Sequence, residues 1–167
     1  MKVLLLFISI LLSISTKCQD NFNICKYKQV EFDSDTCCWR QLSGSGSFKQ
    51  AAELIVQYLK CDSKNKNTHS LKWHAGQMFA ATGLKKDAKR YFHKTYNIFA
   101  KWFGGKDGAA WYYYAKGTVA FIDGKERSLQ RIIKKWNNKK LPKDINYKTL
   151  VKLNDNFEKT YREVLLQ

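Results

Sequence analysis

The side chains able to do chemistry in this chain are sparse, and the reactive ones lie at one end. All five cysteines, Cys18, Cys25, Cys37, Cys38 and Cys61, fall within the first 61 residues. None forms a CxxC pair, and the three histidines (His69, His74, His93) do not stand at an i, i+4 metal-ligand spacing. No metal site is expected. Cys37-Cys38 beside Trp39 has the makings of a reactive thiol site, but structural disulfides are the stronger reading in an exported chain. His74 follows Trp73 in an apolar stretch and reads as a satisfied core histidine, while His93 reads as solvated. The sequence holds no glycine-rich phosphate loop, GxSxG elbow, HExxH or paired-carboxylate motif. No catalytic residue is assigned and no cofactor is implied, so the chain reads as a non-enzymatic binding protein.

The opening residues, MKVLLLFISILLSIS, set one lysine before an apolar run and then small polar residues. That is the layout of a secretory signal peptide, cut after Ser15, and the run is shorter than the about 20 apolar residues of a membrane span. Export to the periplasm or the extracellular space follows, with lipid anchoring through Cys18 as the minor alternative. The formal net charge of +16 favours an anionic partner: lipid head groups, polysaccharide, nucleic acid or an acidic protein. Nucleic acid is the least favoured of these, given the export signal. The lysines are spread along the chain, so a solvated basic surface is the plainer explanation.

Residues 16–46 form a cysteine-containing N-terminal segment, and 47–167 read as a helical domain. A helix over 47–61, with Ser47 as its N-cap, puts Phe48, Ala51, Ala52, Ile55, Val56 and Leu59 on one face. The polar run 62–68 breaks the pattern. A helix over 70–82 carries two apolar stripes, which places it between neighbours on both sides. Its partner over 84–102 turns Leu84, Ala88, Tyr91, Phe92, Thr95, Phe99 and Trp102 inward. A glycine-rich connection over 104–108 leads to a second pair, whose second helix turns Leu129, Ile132, Ile133 and Trp136 inward and ends before Pro142. A final helix over 147–166 caps the stack. Gly76 in mid-helix costs about 1 kcal/mol relative to alanine, and close approach of two helix backbones is the expected reason for it.

Cys61 ends a helix of roughly 20 Å at 1.5 Å per residue. A preceding segment running back antiparallel brings Cys25, Cys37 or Cys38 opposite it. Cys61 is therefore expected to bridge one of these three, with a second bond between two of the remainder and Cys18 unpaired.

The two pairs repeat each other at an offset of 41 residues: Gly76 answers to Gly117, Gly83 to Gly124, Trp73 to Tyr114, Ala88 to Leu129 and Phe92 to Ile133. Gly76, Phe79, Gly83, Ala88 and Phe92 resemble the tetratricopeptide repeat, a helix–turn–helix with small residues at set positions. The match is weaker in the second pair, where Gly117 and Gly124 hold but Leu129 replaces the small alanine. The resemblance implies an all-α stack of about 2.5 units with a C-terminal capping helix. The offset exceeds the family's usual ~34 residues, and the surplus is expected in the glycine-rich connection. Trp73-His74-Ala75-Gly76-Gln77 is also similar to the WHxGQ-type helix of small exported bacterial proteins. The resemblance further implies a concave groove built from Trp73, Gln77, Trp111, Tyr114 and Thr118, holding a protein or peptide partner; the competing arrangement has the terminal helix, or a neighbouring helix, filling that groove. The lysine and asparagine clamp of some family members is missing. Separately, Arg127, Arg131, Lys134 and Lys135 lie opposite the apolar stripe of their helix and offer an anion-binding strip.

Overall fold

The computed structural model describes residues 24–61 and 68–166. The expected signal peptide, Cys18 and nearly all of the polar run at 62–68 lie outside the described residues. Among the described residues the chain is helical, without strands: α1 Gln29–Phe32, α2 Cys38–Gly44, α3 Phe48–Lys60, α4 His69–Ala81, α5 Lys85–Phe92, α6 Ile98–Phe103, α7 Gly105–Ile122, α8 Glu126–Asn138, α9 Ile145–Asp155 and α10 Tyr161–Leu165. Short 3₁₀ turns cover Ile24–Lys26 and His93–Thr95.

Each long helix packs on its neighbours in sequence, α2 on α3, α3 on α4 and α4 on α5, then α7 on α8, with α9 laid against both. The apolar positions dictate this order. In α3, Phe48, Ala51, Ala52, Ile55 and Tyr58 are buried at alternating three- and four-residue spacing, a single stripe. Buried residues surround α4 and α7 instead, as the two-striped pattern requires. Ser47 occupies the N-cap position of α3, but its side chain does not cap the helix. Cys61 is bridged to Cys25, one of its three expected partners, with Cα atoms 5.1 Å apart. Closing that 36-residue separation stabilises the N-terminal segment against α3 by about 2–4 kcal/mol.

The turn inside each pair is the same structure twice. Gly83 and Gly124 adopt φ of +75° and +67°, a region that favours glycine. After each glycine the chain closes back on the helix: Leu84 N–H donates to the Phe79 carbonyl at 3.0 Å, and Lys125 N–H to the Ala120 carbonyl at 2.9 Å. This is the helix-terminating pattern of a left-handed glycine.

Four expectations are corrected. The helix expected over 84–102 stops at Phe92, and the chain resumes as the separate α6. Leu84, Phe99 and Trp102 are consequently exposed, not inward. The glycine-rich segment is no loose connection but the first turn of α7, where Gly104 and Gly108 pass so close to the Ala100 carbonyl that a Cβ on either would overlap it. The surplus length at the 41-residue offset therefore lies in α6 and the break before it. The terminal helix expected over 147–166 is two helices, α9 and α10, the latter started by a capping box between Thr160 and Glu163. At Gly76 the close neighbour is the Phe92 ring rather than a helix backbone: a Cβ there would lie 2.6 Å from Cδ1.

Candidate functional site

The residues expected to line a groove are drawn together, but the chain covers them itself. Trp73 packs on Phe92, Trp111 and Tyr114, with ring centroids 4.4, 4.8 and 5.0 Å away. Trp73, Tyr114 and Thr118 are buried, while Gln77 and Trp111 are half-buried. Thr118 spends its hydroxyl on the Tyr114 carbonyl. Burial raises the Tyr114 phenol to about 12. The cover includes α10, which packs against α4 and buries Tyr161 and Val164. The Tyr161 hydroxyl lies by Gln77 and Tyr114, yet it is buried without a hydrogen-bond partner of good geometry. Trp111 instead anchors backbone. Its indole N–H donates to the Thr95 carbonyl at 2.6 Å, and His69 Nε2 meets the same oxygen. These two bonds pin the chain break that precedes α6.

A second cluster joins the N-terminal segment to α4. Asp33 accepts from Arg40 and from the Ser70 hydroxyl, each at 3.1 Å, and His74 Nε2 stands 3.9 Å from the same carboxylate. His74 Nδ1 bonds Gln77 at 2.9 Å, and the imidazole tilts against Trp39. Burial pushes His74 below the ordinary imidazole value; the Gln77 bond and Asp33 pull the other way, and Arg40 adds to the lowering. The imidazole is therefore neutral at pH 7. The Ser70 hydroxyl donates to Asp33 rather than to His74, so the cluster ties elements together without arming a nucleophile. Among the described residues no group of three His, Cys, Asp or Glu side chains is placed to hold a metal.

Two surfaces remain open. On α8, Arg127, Arg131, Lys134 and Lys135 are all exposed, opposite buried Leu129, Ile132 and Trp136. None of the four is paired with a carboxylate among the described residues. On α6, Ile98, Phe99, Trp102 and Phe103 are 52, 71, 69 and 83% exposed. Sequence reasoning missed this second surface because it extended one inward stripe across the break. The signal was present: Gly104 and Gly108, four and eight residues beyond Ala100, permit the small side of α6 rather than its aromatic side to face α7.

No family model matches the chain, and neither curated proteins nor solved structures show a match to it. Among the described residues no helix is long and apolar enough to cross a membrane.

Proposed function

We propose that this is an exported, non-catalytic binding protein built on tetratricopeptide-like helix pairs, and that it engages an anionic partner through the outer face of α8. The observation that carries the reading is the strip Arg127, Arg131, Lys134 and Lys135, four cations exposed on one helix face with no carboxylate partner among the described residues. On a chain of net charge +16 such a strip attracts anions over a range set by salt, with a screening length of about 8 Å at physiological ionic strength. Wild-type retention on an immobilised polyanion, such as heparin, should fall steeply as salt rises, and replacing all four with glutamine is expected to move elution to clearly lower salt than the loss of four scattered lysines does. Retention of the variant equal to wild type removes the reading.

A second reading, a peptide partner in the Trp73–Tyr114 groove, has one observation in its favour. The Tyr161 hydroxyl is buried beside Gln77 without a well-aimed hydrogen bond where α10 covers that groove, and a buried hydroxyl left unsatisfied costs up to about 3 kcal/mol. A partner displacing α10 would release that cost.

A further inference from the structure

We infer that α6 is a membrane-docking wedge, which inserts its aromatic face into the head-group region of an anionic lipid bilayer. The inference rests on the anionic-partner reading above and names the partner as lipid.

The polarity of α6 is the reverse of a packed helix. At about 100° per residue, Ile98, Phe99, Trp102 and Phe103 span an arc of about 140°. All four point to solvent, and no residue of α6 is buried. Ala100 sits across the helix from this arc and meets Gly104 and Gly108 of the following turn. The helix is held in that orientation from both ends. Trp111 and His69 fix the Thr95 carbonyl before it, and a glycine corner with Gly105 at φ +62° fixes the chain after it. Asn97 caps its first turn by accepting from the Ala100 N–H at 2.7 Å. The aromatics are thus presented by a built corner of the fold.

The chemistry of the rim selects lipid. Lys101 leans over the rings of Trp102 and Tyr112 at 5.3 and 5.1 Å, and exposed Lys94 and Lys106 flank the helix, with Asp107 the acidic residue nearest to it in sequence and Asp123 acting on Tyr96 before it. Aromatic and aliphatic side chains bordered by lysines are the composition of an interfacial element, where apolar insertion and attraction to anionic head groups act together. The three-residue connection between α7 and α8 makes them antiparallel neighbours. The C-terminal half of α8, with Lys134 and Lys135, therefore returns toward the α6 end of the molecule. A second copy of the chain is a poorer occupant. Four side chains of about 150–250 Å² each leave on the order of 500 Å² open, short of the ~800 Å² per partner of a stable interface.

The test is binding of the full chain to vesicles of phosphatidylcholine alone and of an equimolar phosphatidylcholine–phosphatidylglycerol mixture, read by co-flotation and by quenching of tryptophan fluorescence with bromine-labelled acyl chains. Wild type is expected to bind the mixed vesicles and to be quenched. The variant Phe99→Ser/Trp102→Ser/Phe103→Ser should keep its helical circular dichroism and heparin retention but lose vesicle affinity by roughly a thousandfold, about tenfold for each of the three rings taken from the bilayer. Trp102→Phe should keep the affinity and lose most of the quenching. Vesicle binding by the triple variant equal to wild type overturns the wedge. So does wild-type dimerisation in lipid-free solution that the triple substitution abolishes, which would assign α6 to a second copy. Elution from heparin at lower salt on replacing the α8 cations tests the basic strip separately, so failure of one surface is distinguishable from failure of the other.

Discussion

The helix pairs α4–α5 and α7–α8 share their inner turn almost bond for bond and diverge as soon as the second helix begins. In both, a left-handed glycine ends the first helix and the next residue's N–H closes back across the turn. Beyond it, α5 ends at Phe92, eight residues long, and gives way to the break and to α6. Its counterpart α8 runs 13 residues without interruption. The mid-helix glycines also differ in what fills the space beside them. Gly76 faces the ring of Phe92 from its own pair, whereas Gly117 faces the methyl ends of Leu150 from α9 and Leu129 from α8. The repeated element is therefore the turn. The packing around it has been rebuilt separately in each pair, and the exposed surfaces lie where the pairs differ.

The largest effect that separates the pairs is expected from alanine at the two mid-helix glycines. A Cβ at Gly76 would sit 2.6 Å from the Phe92 ring, which is fully buried and packed against Trp73. A Cβ at Gly117 meets Leu150 Cδ2 at 2.6 Å, the methyl end of an aliphatic side chain that is also fully buried but, unlike a ring, needs only one methyl group to move aside. Overpacking costs about 1–3 kcal/mol, against about 1 kcal/mol gained in helix propensity. Gly76→Ala should lose about 1–2 kcal/mol in urea unfolding, and Gly117→Ala should stay within about 1 kcal/mol of wild type. Equal losses would mean that the two pairs are packed alike after all.

A smaller effect comes from position 74, whose counterpart at the 41-residue offset is Ala115, fully buried. His74 replaces that alanine where α4 faces Asp33 and Arg40 of the N-terminal segment. Because burial lowers its folded pKa, the unfolded chain binds the proton more readily. Stability is thus full above the ordinary imidazole value of 6.5 and declines as pH falls from there toward the lowered folded value. Tm measured at descending pH should sag over that window, and His74→Gln should remove the sag. An unchanged pH profile in the variant would assign the acid sensitivity elsewhere.

The legible parts of the sequence were those that local stereochemistry dictates. Gly83 and Gly124 announce their turns because left-handed backbone favours glycine, and Cys61 announces its bridge because helix length fixes its level. The break after Phe92 carries only the Asn97 cap at its far end and no mark where the helix stops. His93-Lys94-Thr95-Tyr96-Asn97 holds neither glycine nor proline, and its reversal is secured from a distance by Trp111 and His69. Trp73, Tyr114 and Thr118 were legible as neighbours, and a terminal helix over them was one of the two expected arrangements; the second break at 156–160, which brings α10 over them, was not legible, because the terminal periodicity conceals it.

The smallest expected effect on stability belongs to the most apolar surface. Trp102 and Phe103 look, by residue type, like the most costly side chains to remove, and at Phe92 a change to a small residue would remove about 3–5 kcal/mol. On α6 the rings are already in water, so folding gains little from them. Substitutions away from core, caps and strained backbone stay within about 0.5 kcal/mol. Trp102→Ser and Phe103→Ser should therefore leave urea unfolding within that margin. Gly108→Ala, which changes one methyl group, should destabilise more than both together, because its Cβ would overlap the Ala100 backbone carbonyl and lift α6 from α7. That inversion, a methyl outweighing two aromatic rings, is the signature of a helix held by its small side and displayed by its large one. If the serine variants instead lose about 2 kcal/mol or more, as buried side chains do, the aromatic face is packed in solution. The distinction between the helix pairs would then shrink to a difference in helix length.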